Sequence, residues 1–291
     1  MRVTQPSDSV PLSLRSLAAR RFGAVSWVGF AAWIIVIAFL LLAVFGPLFI
    51  ATDPLRQTPG ALLPIGSPGH PLGTDNLGRD ELSRLVHGAR PLIGIALLST
   101  LFAALIGTTI GLIAGYSGGW IDQLLMRTTD LVLAFPSLLL IILLVSVTGA
   151  GPFPLVTGIT VAMAPSFARL VRALCAREMA RDYVTSATLA GTRAPRIMLV
   201  EILPNLTGPL LVQVMTTISV AAGFSAGMSY IGLGIQPPQP DWGYMVQAAQ
   251  QFIYSQPSLI ILPATCTLLF VVACNFVGDD LRDRFDLRRD L

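Results

Sequence analysis

The stretch PLIGIALLSTLFAALIGTTIGLIAGYSGGWI, residues 91–121, contains no charged side chain. It is longer than the roughly 20 apolar residues with which an α-helix crosses the hydrocarbon core of a bilayer. Four further stretches are equally free of charge, namely residues 22–52, 131–168, 202–240 and 242–278. The second of these is interrupted by GAGPFP at 149–154, which leaves room for a span on each side.

The pattern predicts an all-α polytopic membrane protein with six transmembrane helices. Their expected bounds are 27–50, 91–115, 128–148, 154–173, 206–231 and 258–278. Composition supports this, because the 291 residues have a mean hydropathy of +0.72 and only 12% are charged. A soluble domain carries about 25% charged residues, so an ordinary cytosolic enzyme is excluded.

The basic residues bear on ATP hydrolysis and on the orientation of the chain in the membrane. All 19 are arginine, and a standard Walker A loop needs a lysine, so the chain itself is not expected to hydrolyse ATP or to be an enzyme. Fifteen of them fall in the N-terminal tail, at Arg127, in 169–196 and after residue 281, against four at Arg56, Arg79, Arg84 and Arg90. By the positive-inside rule both termini are cytoplasmic, and 52–90, 149–153 and 232–257 are external.

The loop at 177–205 is too long and polar for a simple turn. Apolar side chains recur there on one helical stripe, formed by Met179, Tyr183, Ala187 and Ala190. Gly191 is expected to end this helix in a left-handed cap, and Thr192 to cap a second helix that has Pro195 in its first turn and stops near Pro204. The result is a helical hairpin that either rests on lipid head groups or docks a soluble partner through the stripe.

This loop resembles the EAA loop of ABC importer permeases in two parts, which are DYVTSA at 182–187 with Gly191, and ILPN at 202–205. Thr185 and Ser186 depart from the acidic or small residues usual there. Other segments are similar to the dipeptide/oligopeptide permease subfamily, second-subunit type: HPLGTDNLGRD at 70–80, GYSGGWID at 115–122, GLGIQPP at 232–238 and NFVGDDLRD at 275–283. The resemblance divides the chain into 1–69, with the first span, and a permease domain at 70–291.

The resemblance implies the membrane-spanning half of an ATP-driven importer in the bacterial cytoplasmic membrane. Its partners would be a second permease, two ATPase subunits that bind ATP and Mg²⁺, an external substrate-binding protein and lipid, with no nucleic acid and no cofactor on this chain. Peptides are the implied cargo, with nickel or haem as family variants. The implied coupling residues are Asp182, Tyr183, Val184, Ala187, Gly191, Arg196, Leu203, Pro204 and Asn205.

Three smaller features complete the predictions. Asp75, Arg79 and Asp80 are expected on an external surface turn that meets the substrate-delivering partner. Ser225, where the family usually has Glu, and Ser229 are candidates for the substrate pathway. The GxxxG spacing of Gly107 and Gly111 allows close packing, either against a partner subunit or within the bundle.

A stand-alone secondary transporter or channel is the alternative from a different class. Such proteins often contain inverted repeats and broken helices with charges at the membrane midplane. The sequence has no evident internal repeat, and its predicted spans contain almost no acidic residues. The permease interpretation is therefore favoured.

Overall fold

The computed structural model describes residues 27–50 and 52–287. Within them the helices are α1 Trp27–Phe49, α2 Glu81–Ser117, α3 Gly119–Leu133, α4 Ser137–Thr148, α5 Pro152–Glu178, α6 Asp182–Leu189, α7 Thr207–Tyr230, α8 Trp242–Ala249 and α9 Ser258–Leu287. The described residues contain no strand beyond isolated bridges. The N-terminal arginines, Arg288 and Arg289 lie outside the described residues.

Five helices are long and apolar enough to cross a membrane: α1, α2, α5, α9, and α7 together with the turns that lead into it. Counting α3 and α4, which meet at an angle of 85°, as one broken span gives six. The all-α architecture is thus confirmed, with five or six candidate spans.

The expectation of one continuous helix at 128–148 is wrong. Residues 134–136 separate α3 from α4, and Pro136 is the residue that directly precedes α4. Proline has no backbone N–H to donate, and it disfavours the helical conformation in the residue before it, here Phe135. Hydropathy did not reveal the break because the whole segment is uncharged.

The ends of two helices also differ from the predicted spans. Helix α5 continues past residue 173 to Glu178, and α2 begins at Glu81 rather than at residue 91. At the start of α2 the Asp80 carboxylate accepts a hydrogen bond from the Ser83 amide at 2.8 Å, a typical N-cap. Charged residues end the hydropathy signal, but the helices themselves continue through them.

Helices α2 and α5 pack along the glycine stripe of α2. A Cβ atom on Gly111 would lie 2.6 Å from the carbonyl oxygen of Ala168, and one on Gly115 would lie 2.7 Å from Cys175 Cβ. Only a residue without a side chain permits this approach. The GxxxG spacing therefore joins two helices of the same chain, and packing of this stripe against a partner subunit is excluded.

Helix α8 closes the end of the bundle at which α2 begins. Trp242 is completely buried, and its indole N–H donates to the Leu85 carbonyl oxygen at 2.7 Å. Phe39 packs edge-on against both Trp242 and Phe270, with ring centroids 5.6 and 5.8 Å apart. One aromatic cluster thus ties α1, α2, α8 and α9 together.

Candidate functional site

The hairpin at 177–205 begins with the short helix α6, and Gly191 ends it as expected. Gly191 has φ +74°. Its amide donates to the Thr188 carbonyl at 3.0 Å, and the Thr192 amide donates to the Ala187 carbonyl at 3.1 Å. These two bonds form a Schellman motif, which requires the left-handed conformation that glycine adopts without steric cost.

Most of the stripe predicted as a docking surface faces the protein itself. Met179, Tyr183 and Ala187 are partly buried against an apolar cluster at the C-terminal ends of α2 and α5, while Ala190 is exposed. The cluster consists of Leu112, Val171, Cys175, Val184, Ile197, Ile202 and Leu206. Docking of a partner by the hairpin stays a prediction, and these three stripe residues are not its exposed surface.

The outward surface of the hairpin lies at its tip. Leu189 is 85% exposed there, and its neighbours Ser186, Ala190 and Gly191 are small and exposed. Leu189 is therefore the apolar side chain of α6 that is open to a partner. The sequence stripe omitted it, although Leu189 lies only two residues before the helix-ending Gly191.

A chain of polar contacts links the hairpin to the two helices on either side of it. Tyr183 Oη donates to Glu178 Oε2 at 2.7 Å, and Asn205 Nδ2 donates to Tyr183 Oη at 3.1 Å. Burial raises the pKa of the Tyr183 hydroxyl, as does its hydrogen bond to Glu178. Glu178, which the sequence analysis did not single out, thereby connects the end of α5 to α6 and to the approach to α7.

The second arm of the hairpin is not a separate helix that stops near Pro204. One α-helical turn at Ala194–Arg196 leads into a π-helix at Ile197–Ile202 and a 3₁₀-helix at Leu203–Leu206, and these continue into α7. The N-cap is Arg193, so Thr192 does not cap this arm. Pro204 lacks the amide that would continue a regular ladder, which explains why the helix changes type beside it.

The remaining coupling candidates occupy different positions in the hairpin. Val184 and Tyr183 face inward, while Asp182, Arg196, Pro204 and Asn205 are exposed and Leu203 is half-buried. The structure therefore gathers all nine predicted residues into one unit at the C-terminal ends of α2 and α5. Only part of that unit, with Leu189 added, is open to a partner.

Asp75, Arg79 and Asp80 are buried, which corrects the expectation of a surface turn. Asp75 Oδ2 accepts from Arg79 Nε at 2.7 Å and lies 3.4 Å from Arg84 Nε. Asp80 Oδ1 lies 2.9 Å from His70 Nδ1 while its other oxygen caps α2. Each of these carboxylates has hydrogen-bond or ion-pair partners within the chain, so the cluster fixes residues 70–80 to the start of α2. No group of three or more metal-ligating side chains occurs in the part of the chain that the structure describes.

Ser225 and Ser229 are fully buried. The Ser225 hydroxyl has no hydrogen-bond partner among the described residues, and Ser229 Oγ accepts from the Ile235 amide at 3.2 Å. Beside them Asp241 caps α8, and burial raises its pKa to about 6. Neither serine faces open space in this structure, and their place on a substrate pathway stays a prediction.

Comparison with known proteins identifies relatives for most of the chain. Residues 107–290 match the family described as the binding-protein-dependent transport system inner membrane component. The chain is 41% identical over 250 residues to the di/tripeptide transport system permease protein DppC of Pseudomonas aeruginosa, covering 84% of this chain and 82% of that protein. It is 38% identical to the dipeptide transport system permease protein DppC of Haemophilus influenzae, with 87% and 88% covered.

A solved structure shares the fold. A chain of the MetNI methionine ABC transporter in an inward-facing conformation superimposes with a TM-score of 0.57 at 17% sequence identity. The match covers 67% of this chain and 93% of that chain.

Proposed function

Because the chain belongs to the family of inner membrane components of binding-protein-dependent transport systems, we propose that it is the permease subunit of an ATP-driven importer of short peptides. The observation that carries this is 41% identity to a di/tripeptide permease protein over five-sixths of both chains. The inference for peptides rests on that identity. Nickel and haem remain family variants that no observation favours, and the same holds for a stand-alone transporter or channel.

The proposed assembly contains a second permease of similar fold, two ATPase subunits that hold ATP and Mg²⁺, and an external substrate-binding protein. The unit at 70–291 would form the transport domain, with α1 as an added span. Transport would proceed by alternating access, in which closure of the ATPase pair moves the hairpin and the spans tilt with it.

The geometry of the hairpin supports this coupling role. Helix α6 is fixed to its own chain on the inner side by Val184 and the apolar cluster, so it cannot move alone. Through Tyr183, Glu178 and Asn205 it is hydrogen-bonded to the end of α5 and the approach to α7. A displacement at Leu189 would therefore be passed to two membrane-spanning helices.

Reconstitution of the complete complex in proteoliposomes tests the function. With the binding protein outside and ATP inside, labelled dipeptide is expected to accumulate, and omission of this chain is expected to stop accumulation. Accumulation of Ni²⁺ or haem without dipeptide uptake would reassign the cargo. Dipeptide uptake driven by an ion gradient without ATP would refute the importer class.

The isolated chain is expected to show no ATP hydrolysis. It contains no lysine, and a standard phosphate-binding loop places a lysine on the β- and γ-phosphates. Phosphate release by the purified chain should equal that of a sample without protein. Turnover that persists through further purification and follows the chain on a sizing column would contradict the permease role.

Both termini are expected in the cytoplasm, since 15 of the 19 arginines fall on that side. An alkaline phosphatase reporter, which is active only outside the membrane, should be inactive when fused after Leu291. Fused after Gln57, in the external segment that follows α1, it should be active. The reverse pattern would invert the topology.

A further inference from the structure

An exposed ion pair lies on the membrane-spanning part of the bundle. Arg169 Nη2 of α5 donates to Asp130 Oδ1 of α3 at 2.8 Å. The two side chains are 55% and 56% exposed, so the pair is formed at an open surface. Among the described residues no other hydrogen bond to either side chain occurs, which leaves guanidinium donors and a carboxylate oxygen free.

The position of Arg169 along α5 sets its depth. The residue lies nine positions, about 14 Å, before the last residue of α5, and four positions, about 6 Å, from the middle of that helix. A hydrocarbon core of about 30 Å centred on this helix of about 40 Å would contain Arg169 about 9 Å inside its cytoplasmic edge. The expected helix end at residue 173 had placed this arginine at the interface.

The break between α3 and α4 lies at a similar depth. A Cβ atom on Gly158 of α5 would lie 3.4 Å from Ile141 Cγ2, which fixes the level of α4 against α5. Gly158 is seven residues, about 10 Å, from the middle of α5, and Ser137 is four residues, about 6 Å, nearer to it, so Ser137 lies about 4 Å from that middle. Residues 134–136 are exposed there, and Phe135 is 58% exposed.

The charges of Asp130 and Arg169 argue against hydrocarbon as the cover of this surface. A charged pair in the same region is costly in hydrocarbon, and intramembrane charges commonly mark a transport route. Asp130 is too short to extend to the interface, and Arg169 is held by it, so the pair stays at this depth.

We propose that residues 134–136 and the pair formed by Asp130 and Arg169 line the aqueous translocation pathway, and that this pair binds the charged termini of a peptide in transit. This inference rests on the proposed function. The free guanidinium donors suit a terminal carboxylate, and the free carboxylate oxygen suits a terminal ammonium group. The ion pair supplies each peptide terminus with a partner of opposite charge, and the two side chains pair with each other again after release.

Cysteine labelling in the assembled transporter tests the location. Phe135→Cys and Ala134→Cys leave the ion pair intact, and the native chain with its three cysteines gives the background. A charged, membrane-impermeant thiol reagent is expected to label both variants at least tenfold faster than Ile37→Cys, an exposed position in the middle of α1. Gly149→Cys in the external loop serves as the positive control.

Protection by peptide tests the ligand. In detergent without the binding protein, a millimolar dipeptide is expected to slow labelling of Phe135→Cys at least threefold, and the same dipeptide with both termini blocked should not. Adding Arg169→Gln should remove this protection. Arg172→Gln, which breaks the neighbouring pair with Asp122, should retain it.

Two outcomes would overturn the proposal. If neither cysteine is labelled while Gly149→Cys is, and dipeptide uptake is normal, the surface is closed by protein and the location is wrong although the function stands. If blocked and free dipeptides protect equally, or if protection survives Arg169→Gln, the ion pair does not bind the termini.

Discussion

Replacement of Gly191 by valine is expected to reduce dipeptide uptake by at least tenfold while the chain still inserts in the membrane. Nothing lies within 4 Å of a Cβ atom at this position, so the effect comes from the backbone alone. A residue with φ +74° costs roughly 1–2 kcal/mol for an ordinary side chain and more for a β-branched one. Relief of this strain would break the two cap hydrogen bonds and reorient the tip that carries Leu189.

The measurement is binding of the ATPase subunits to the purified permease pair, together with uptake in proteoliposomes. Gly118→Val is a control of at least equal backbone strain, because Gly118, with φ 61° and ψ −163°, lies in a region open essentially to glycine alone and has free space around it in the turn between α2 and α3. It should retain ATPase binding. Gly191→Ala should be intermediate, and full uptake by Gly191→Val would show that the hairpin does not couple ATP hydrolysis to transport.

The membrane architecture was accessible from sequence because hydropathy depends on composition along the chain. Lipid-facing and buried apolar residues contribute equally to it, so each uncharged stretch of sufficient length could be assigned a span. The same property concealed the break at Pro136, because the residues on both sides of it are equally apolar. It also concealed the continuation of α5 to Glu178, because the last residues of that uninterrupted helix are charged. What hydropathy cannot detect is a change of backbone direction.

The candidate site was only half predictable, for a different reason. The left-handed conformation of Gly191 follows from its own chemistry, since glycine alone enters it freely. Which face of α6 points outward depends on Leu112 and Val171, which are more than ten residues away in sequence. Likewise, Asp75 looked like a surface residue until its contact with Arg84 placed it inside. Such long-range contacts are absent from local patterns.

Helix α5 connects the hairpin to the ion pair of Arg169 and Asp130. Glu178 at its end joins the hairpin through Tyr183, and Arg169 lies nine residues earlier on the same uninterrupted helix. A movement of the hairpin that tilts or shifts α5 therefore also moves Arg169 relative to Asp130 on α3. In the proposed mechanism, a movement of the hairpin therefore reaches the ion pair through one continuous helix.

Leu189→Asp is expected to weaken binding of the ATPase subunits by at least 30-fold and to reduce dipeptide uptake accordingly. The side chain is 85% exposed in the single chain and surrounded by small residues, so it can insert into a groove of a partner. Loss of an interface anchor costs about 2 kcal/mol, which is roughly 30-fold in Kd, and a carboxylate buried without a counter-charge costs more. Titration of labelled ATPase against the reconstituted permease pair measures the change.

Two further variants separate docking from folding and from lipid contact. Leu77→Asp makes the same change at an exposed leucine of the external segment, and it should retain ATPase binding. Ala187→Glu places a charge against the chain's own apolar cluster, so it should lower the amount of folded permease rather than affect docking alone. If Leu189→Asp binds the ATPase normally, the tip instead rests on lipid head groups, because docking through this leucine cannot tolerate a buried carboxylate.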